Sequence, residues 1–123
     1  MAKILIVDDE GDLRTLFGLC FLRRGYSIVV AGDGAVGLQC VATHAPDLLV
    51  TDVNMPVLDG LELLRRVRAN GHRDLPVIVL TARADQRAAA IAAGADAFLV
   101  KPVPLRQLGE TAERLLAERR VAA

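Results

Sequence analysis

Short apolar runs alternate along the chain with longer stretches in which apolar residues recur every three to four positions. The runs are Ile4–Val7, Ile28–Ala31, Leu48–Val50, Val77–Leu80 and Ala97–Val100. Each is rich in Val, Ile and Leu and is bounded by polar residues, Gly or Pro, the pattern of strands buried on both faces of a parallel sheet. The stretches between them read as helices. Glu10–Arg24 places Leu13, Leu16, Phe17 and Cys20 on one face and stops at Gly25. Asp33 suits the cap of a helix running to His44, with Pro46 closing it. Gly60–Asn70 carries Leu61, Leu64, Val67 and Arg68 and ends at Gly71. Asp85 suits the cap of Gln86–Ala93, which ends at Gly94. Pro104–Arg120 opens with Pro in its first turn and bears a stripe of Leu105, Leu108, Ala112, Leu115 and Leu116. Strands alternating with helices in this way predict an α/β domain built on a parallel sheet.

In such a sheet, ligands gather at the carboxyl ends of the strands. Asp8 and Asp9 follow the first run, Asp52 the third, Thr81 the fourth, and Lys101 with Pro102 the fifth. Carboxylates crowded together repel, and a divalent cation relieves them; hard carboxylate oxygens with water suit Mg²⁺. Thr81 and Lys101 supply a hydroxyl donor and an ammonium, a clamp for an anion. Metal on one side and clamp on the other predict phosphoryl chemistry.

Composition narrows the function further. A chain of 123 residues is read as one domain, residues 1–123, long enough to bury a core without disulfides. A net charge of zero argues against binding nucleic acid by charge alone. Aromatics at 3%, without Trp, leave no stacking surface for single strands. Residues 1–60 carry a net −4 and residues 61–123 a net +4, so the acidic half suits a cation and the basic half an acidic partner. Cys20 and Cys40 form neither a disulfide framework nor a zinc spacing and read as small core residues in a reducing compartment. With neither a signal peptide nor a membrane-length apolar run, the expected location is cytoplasmic, with no membrane partner.

Four segments together, KILIVDDE (3–10), DLLVTDVNMPVLDG (47–60), VIVLTA (77–82) and AAGADAFLVKP (92–102), resemble the receiver domains of bacterial two-component response regulators, the CheY-like superfamily. The resemblance covers essentially the whole chain. It implies a doubly wound (βα)₅ flavodoxin-like fold with a five-stranded parallel sheet of order 2-1-3-4-5. It implies that Asp52 is the phosphoacceptor, attacking the phosphorus of a kinase phosphohistidine. Asp9, Asp52 and the backbone carbonyl of Asn54 would ligate Mg²⁺, with Asp8 assisting through water. Thr81 and Lys101 would bind the phosphoryl oxygens. Thr81 and Phe98 would form a switch: the hydroxyl moves toward the phosphoryl group, the ring fills the vacated space, and the surface of the fourth helix, fifth strand and fifth helix is repacked. Phe98 lacks the hydroxyl of the commoner Tyr, so no hydrogen bond secures an outward ring. The Lys101–Pro102 peptide would be cis. The implied partners are a sensor histidine kinase or histidine phosphotransfer protein and an unidentified output protein, with a phosphorylation-dependent homodimer left open and no direct nucleic-acid contact. Such a protein phosphorylates and dephosphorylates itself but turns over no separate substrate.

The interval from Thr81 to Lys101 is about two residues shorter than is usual for the family, which bears on the fourth helix and its partner surface. Ile91 is the one large apolar residue of that helix. Arg83 and Asn54 flank the phosphoryl position. His44 and His72 read as helix-end or solvent-facing residues rather than phosphotransfer groups. Arg65, Arg66, Arg68 and Arg73, and the pair Arg119 and Arg120, read as solvated faces. Leu13 and Leu16 follow the acidic pair closely and are candidates for kinase docking, with core packing the stronger expectation for Leu16. The competing readings are a module separated from a larger regulator or hybrid kinase, a receiver-fold binding module that is never phosphorylated, an aspartyl-phosphate phosphatase and a flavodoxin-like cofactor binder. All five site residues argue against the unphosphorylated module. The acids after the first run form DDE rather than DxD, and no phosphate-cradling loop follows it.

Overall fold

The β-branched and leucine-rich runs pair as parallel strands in a computed structural model, which describes residues 1–122, with side chains to residue 119. The strands are β1 (Lys3–Val7), β2 (Ser27–Ala31), β3 (Leu48–Asp52), β4 (Val77–Thr81) and β5 (Ala97–Val100), in the sheet order β2-β1-β3-β4-β5. The helices are α1 (Gly11–Arg23), α2 (Gly34–His44), α3 (Gly60–Ala69), α4 (Arg87–Ala93) and α5 (Leu105–Ala122). This is the flavodoxin-like α/β architecture. No helix among the described residues is long and apolar enough to cross a membrane.

Alternate residues of a strand face opposite sides of the sheet, so each run feeds two cores. Leu5, Val7, Leu49, Val77 and Val79 pack with Val41 of α2, Leu63, Leu64 and Val67 of α3, and Ala90 and Ala93 of α4. Ile4, Ile6, Leu48, Val50, Ile78 and Leu80 pack with Phe17 and Phe21 of α1 and with Leu108, Ala112, Leu115 and Leu116 of α5. Burial on both faces is complete for β3 and β4, but not for the outermost strands β2 and β5. Val30 on β2 is 46% exposed, because an edge strand has a neighbour on one side only.

Helix ends follow local chemistry in most places. The Asp33 carboxylate accepts from Val36 N at 2.8 Å, and Asp59 does the same for Glu62 N at 2.9 Å. The segment after β4 departs from expectation. Asp85 caps no helix; it lies in a 3-10 turn over Ala84–Gln86, and α4 begins only at Arg87. Its carboxylate is taken by Arg83 at 2.9 Å, a partner two residues away that outcompetes the cap. Helix α4 has seven residues, buries only Ala90 and Ala93, and leaves Ile91 49% exposed.

Two sequence expectations about side-chain placement are corrected. Leu16 is 43% exposed, whereas Leu13 packs against the α1–α5 core. Helix α1 has apolar residues on both sides, and the face that turns inward is Leu13, Phe17 and Phe21, not the one containing Leu16. Arg68 is not part of a solvated face. Its guanidinium donates to the carbonyls of His72 (2.8 Å), Leu75 (2.6 Å) and Gly94 (2.7 Å) and pairs with Asp96 (3.1 Å). It thus ties α3 to the approach to β4 and to the α4–β5 turn. Arg65 and Arg66 are exposed and pair with Glu62, while the side chain of Arg120 lies outside the described residues.

Candidate functional site

Strand register brings the chemistry together. Val7 pairs with Thr51, so Asp8 lies beside Asp52 at one edge of the sheet. Thr81 pairs with Val100, and Lys101 N donates to the Thr81 carbonyl at 2.8 Å, which brings Lys101 to the same edge. Asp52 and Thr81 are the final residues of β3 and β4 and so share the rigidity of the sheet.

Asp8 and Asp52 are buried, while Asp9 is exposed. One carboxylate oxygen from each of the three lies within 4.8 Å of the others. Backbone amides hold the two buried groups: Glu10 N donates to Asp8 Oδ1 at 2.9 Å, and Val53 N donates to Asp52 Oδ1 at 2.7 Å. The remaining oxygens share one cation, with Lys101 Nζ 3.0 Å from Asp8 Oδ2 and 3.2 Å from Asp52 Oδ2. Burial alone would push the Lys101 ammonium down, but its hydrogen bond to Asp8 and the charges of Asp52 and Asp8 outweigh this and hold it above its ordinary range. An all-oxygen donor set with one member open to solvent fits a hard divalent cation. Asp8, Asp9 and Asp52 form the acidic triad typical of a receiver metal site.

The floor of the site depends on Gly60. A Cβ at this position would collide with the carbonyl oxygen of Asp52, and Gly60 N donates to Val53 O at 2.8 Å. The first residue of α3 is thus in direct contact with the end of β3. The loop between them holds Val57 at φ 71°, a left-handed conformation unusual for a β-branched residue.

Thr81 is buried, and its hydroxyl donates to Gln86 Oε1 at 2.6 Å. Thr81 Oγ1 itself accepts from Arg83 N at 3.2 Å and from Asn54 Nδ2 at 3.4 Å. Gln86 and Asn54 also pair amide to amide, with Gln86 Nε2 donating to Asn54 Oδ1 at 3.2 Å. Gln86 was absent from the residues singled out in the sequence; its only signal is an amide beside an alanine-rich segment. Phe98 is 8% exposed and packs in the α2–α3–α4 core, so its ring starts from the inside rather than from an outward position. The Arg87 guanidinium lies over it, 5.9 Å from the ring centroid. The Lys101–Pro102 peptide is cis. His44 and His72 are exposed and distant in the fold from this edge of the sheet, at the ends of α2 and just past α3.

Residues 4–113 match the family model described as the response regulator receiver domain. The response regulator MprA of Mycobacterium avium is 45% identical over 108 residues, covering 86% of this chain and 47% of that protein. The chain therefore spans about half the length of the curated relatives it matches. Among solved structures, a CheY-like receiver domain protein from Methanospirillum hungatei superposes with a TM-score of 0.95 at 27% identity, covering 100% of this chain and 99% of that one. A response regulator described as putative, from Chloroflexus aurantiacus, superposes with a TM-score of 0.88 at 34% identity, covering 94% and 98%. The chain belongs to the response regulator receiver domains of two-component systems, signalling switches rather than turnover enzymes, whose implied partner is a histidine kinase.

Proposed function

We propose that residues 1–123 form a receiver domain that accepts a phosphoryl group on Asp52 in a Mg²⁺-dependent reaction. The observation that carries this reading is the sharing of Lys101 Nζ between Asp8 and Asp52 beside the exposed Asp9 carboxylate. An Asp52 oxygen attacks the phosphorus of a phosphohistidine in line, the P–N bond breaks, and an acyl phosphate remains. Lys101 then neutralises a phosphoryl oxygen and the Thr81 hydroxyl donates to another. Asp9, Asp52 and the Asn54 backbone carbonyl would hold the metal, with Asp8 assisting through water. When bound, Mg²⁺ screens the carboxylates from one another and from the incoming phosphoryl oxygens.

Because Phe98 is already buried, phosphorylation in this reading retains the ring inside instead of drawing it in. The output surface is the α4–β5–α5 face, where Ile91 and Val100 are exposed. The donor is a sensor histidine kinase or a histidine phosphotransfer protein, and the setting is the cytoplasm. The partial coverage of the MprA relatives favours a second form of the same reading, in which this receiver is a module of a longer regulator.

Intact-mass spectrometry after incubation with acetyl phosphate tests the reading. One phosphate adduct is expected on the unaltered protein with Mg²⁺, and none without Mg²⁺ or on Asp52→Asn. An adduct that persists on Asp52→Asn would refute it.

A further inference from the structure

The Thr81 hydroxyl has a single proton, and in this structure that proton is committed to Gln86 Oε1 at 2.6 Å. The other contacts at Thr81 Oγ1, from Arg83 N and Asn54 Nδ2, are donations to it and leave its proton untouched. A phosphoryl oxygen on Asp52 is an acceptor only. It can be bound by Thr81 only if the proton is withdrawn from Gln86. The amide of Gln86 is also clasped by Asn54, two residues beyond Asp52, through bonds in both directions at 3.4 and 3.2 Å. One side chain therefore bridges the loop after β3, through Asn54, and the end of β4, through Thr81.

We infer that Gln86 is a positioning residue, a latch that holds the Thr81 hydroxyl away from Asp52 until an acyl phosphate competes for it. The inference rests on the phosphoacceptor reading of Asp52 and adds a cost: each phosphorylation must break the Thr81–Gln86 bond. It also adds a route outward. Gln86 is the residue before α4, and its neighbour Arg87 lies over Phe98. Releasing the latch frees the start of α4 at the point where that helix covers the ring.

The test is the affinity of beryllofluoride, a non-covalent mimic of the acyl phosphate, measured at saturating Mg²⁺. Gln86→Leu removes the competing acceptor at similar volume. Gln86 makes no side-chain cap to α4, so the substitution strips no helix end. Binding should tighten about two- to tenfold, the factor that one neutral hydrogen bond is worth. Gln86→Glu keeps the acceptor and strengthens it with charge, and binding should weaken. In a Thr81→Ala background there is no hydroxyl to withhold, and Gln86→Leu should then change the affinity by less than about twofold. A merely structural role for Gln86 would give equal effects with and without the Thr81 hydroxyl, and that result overturns the latch. Unchanged or weaker binding by Gln86→Leu in the Thr81 protein overturns it as well. Failure of the unaltered protein to bind beryllofluoride overturns the phosphoacceptor reading and the latch together, whereas normal binding that is insensitive to Gln86 overturns the latch alone.

Discussion

Lys101 is one ammonium serving two buried carboxylates, and that sharing sets its energetic role. Removing one partner of a buried ionic cluster leaves the others uncompensated. Lys101→Met in metal-free protein should therefore cost about 3 kcal/mol, the lower end for breaking a buried pair because Lys101 keeps some contact with solvent, read from the urea midpoint. Mg²⁺ should recover most of this loss, because a cation would again stand among the carboxylates, while phosphate adduct formation falls about a hundredfold. A variant as stable as the parent without Mg²⁺ would show that the pair carries no such weight. The sequence placed Asp8, Asp9, Asp52, Thr81 and Lys101 at one edge because apolar runs stop where polar chemistry begins. It did not show Gln86, since a contact between side chains five residues apart across a 3-10 turn leaves no periodic trace.

At the scale of elements, the junction of β3 with α3 is the tightest point of the site. Gly60→Ala puts a methyl group against the Asp52 carbonyl oxygen, which is backbone and cannot yield cheaply. We expect a loss of about 2–4 kcal/mol in unfolding free energy together with impaired phosphorylation, since relief requires moving Asp52 itself. A chemical-denaturation curve and the mass assay on the same sample would check both, and a stable, fully phosphorylated variant would contradict the close contact. The five strands and five α-helices were legible, because runs of Val and Ile and 3.6-residue stripes have different periods, whereas the 3-10 turn over Ala84–Gln86 was not. Burial within elements was less legible. Both faces of α1 carry leucines, so the ranking of Leu16 above Leu13 for the core came out reversed. Asp85 looked like a cap because its competitor Arg83 is invisible to a pattern that reads forward from the carboxylate.

Across the whole molecule, the site couples to pH through Lys101. Its ammonium is held above the ordinary value of 10.5, so the stabilisation it provides is complete below that pH and is lost as pH climbs through the raised value. The urea midpoint of metal-free protein should fall in that alkaline window, and Lys101→Met should lose the part of the fall that belongs to this group. Identical alkaline profiles for the two proteins would assign the fall elsewhere. The sheet order came with the family resemblance, whereas the parallel α/β fold is set by features spread along the chain and was readable before any contact was known. Arg68 was not, because its four acceptors come from segments far apart in sequence. Its grip on Gly94 and Asp96 fixes one end of α4, while the Gln86 amide holds the other. In the latch reading, helix α4, about 10 Å long, would turn as a lever about Gly94. A tilt of about ten degrees would carry its free end roughly 2 Å at that length, with almost no travel at the pivot. In that reading, motion started at the Asp52 pocket would be largest beside the Arg87 guanidinium over Phe98 and smallest at Gly94, where Arg68 ties α3 to the turn.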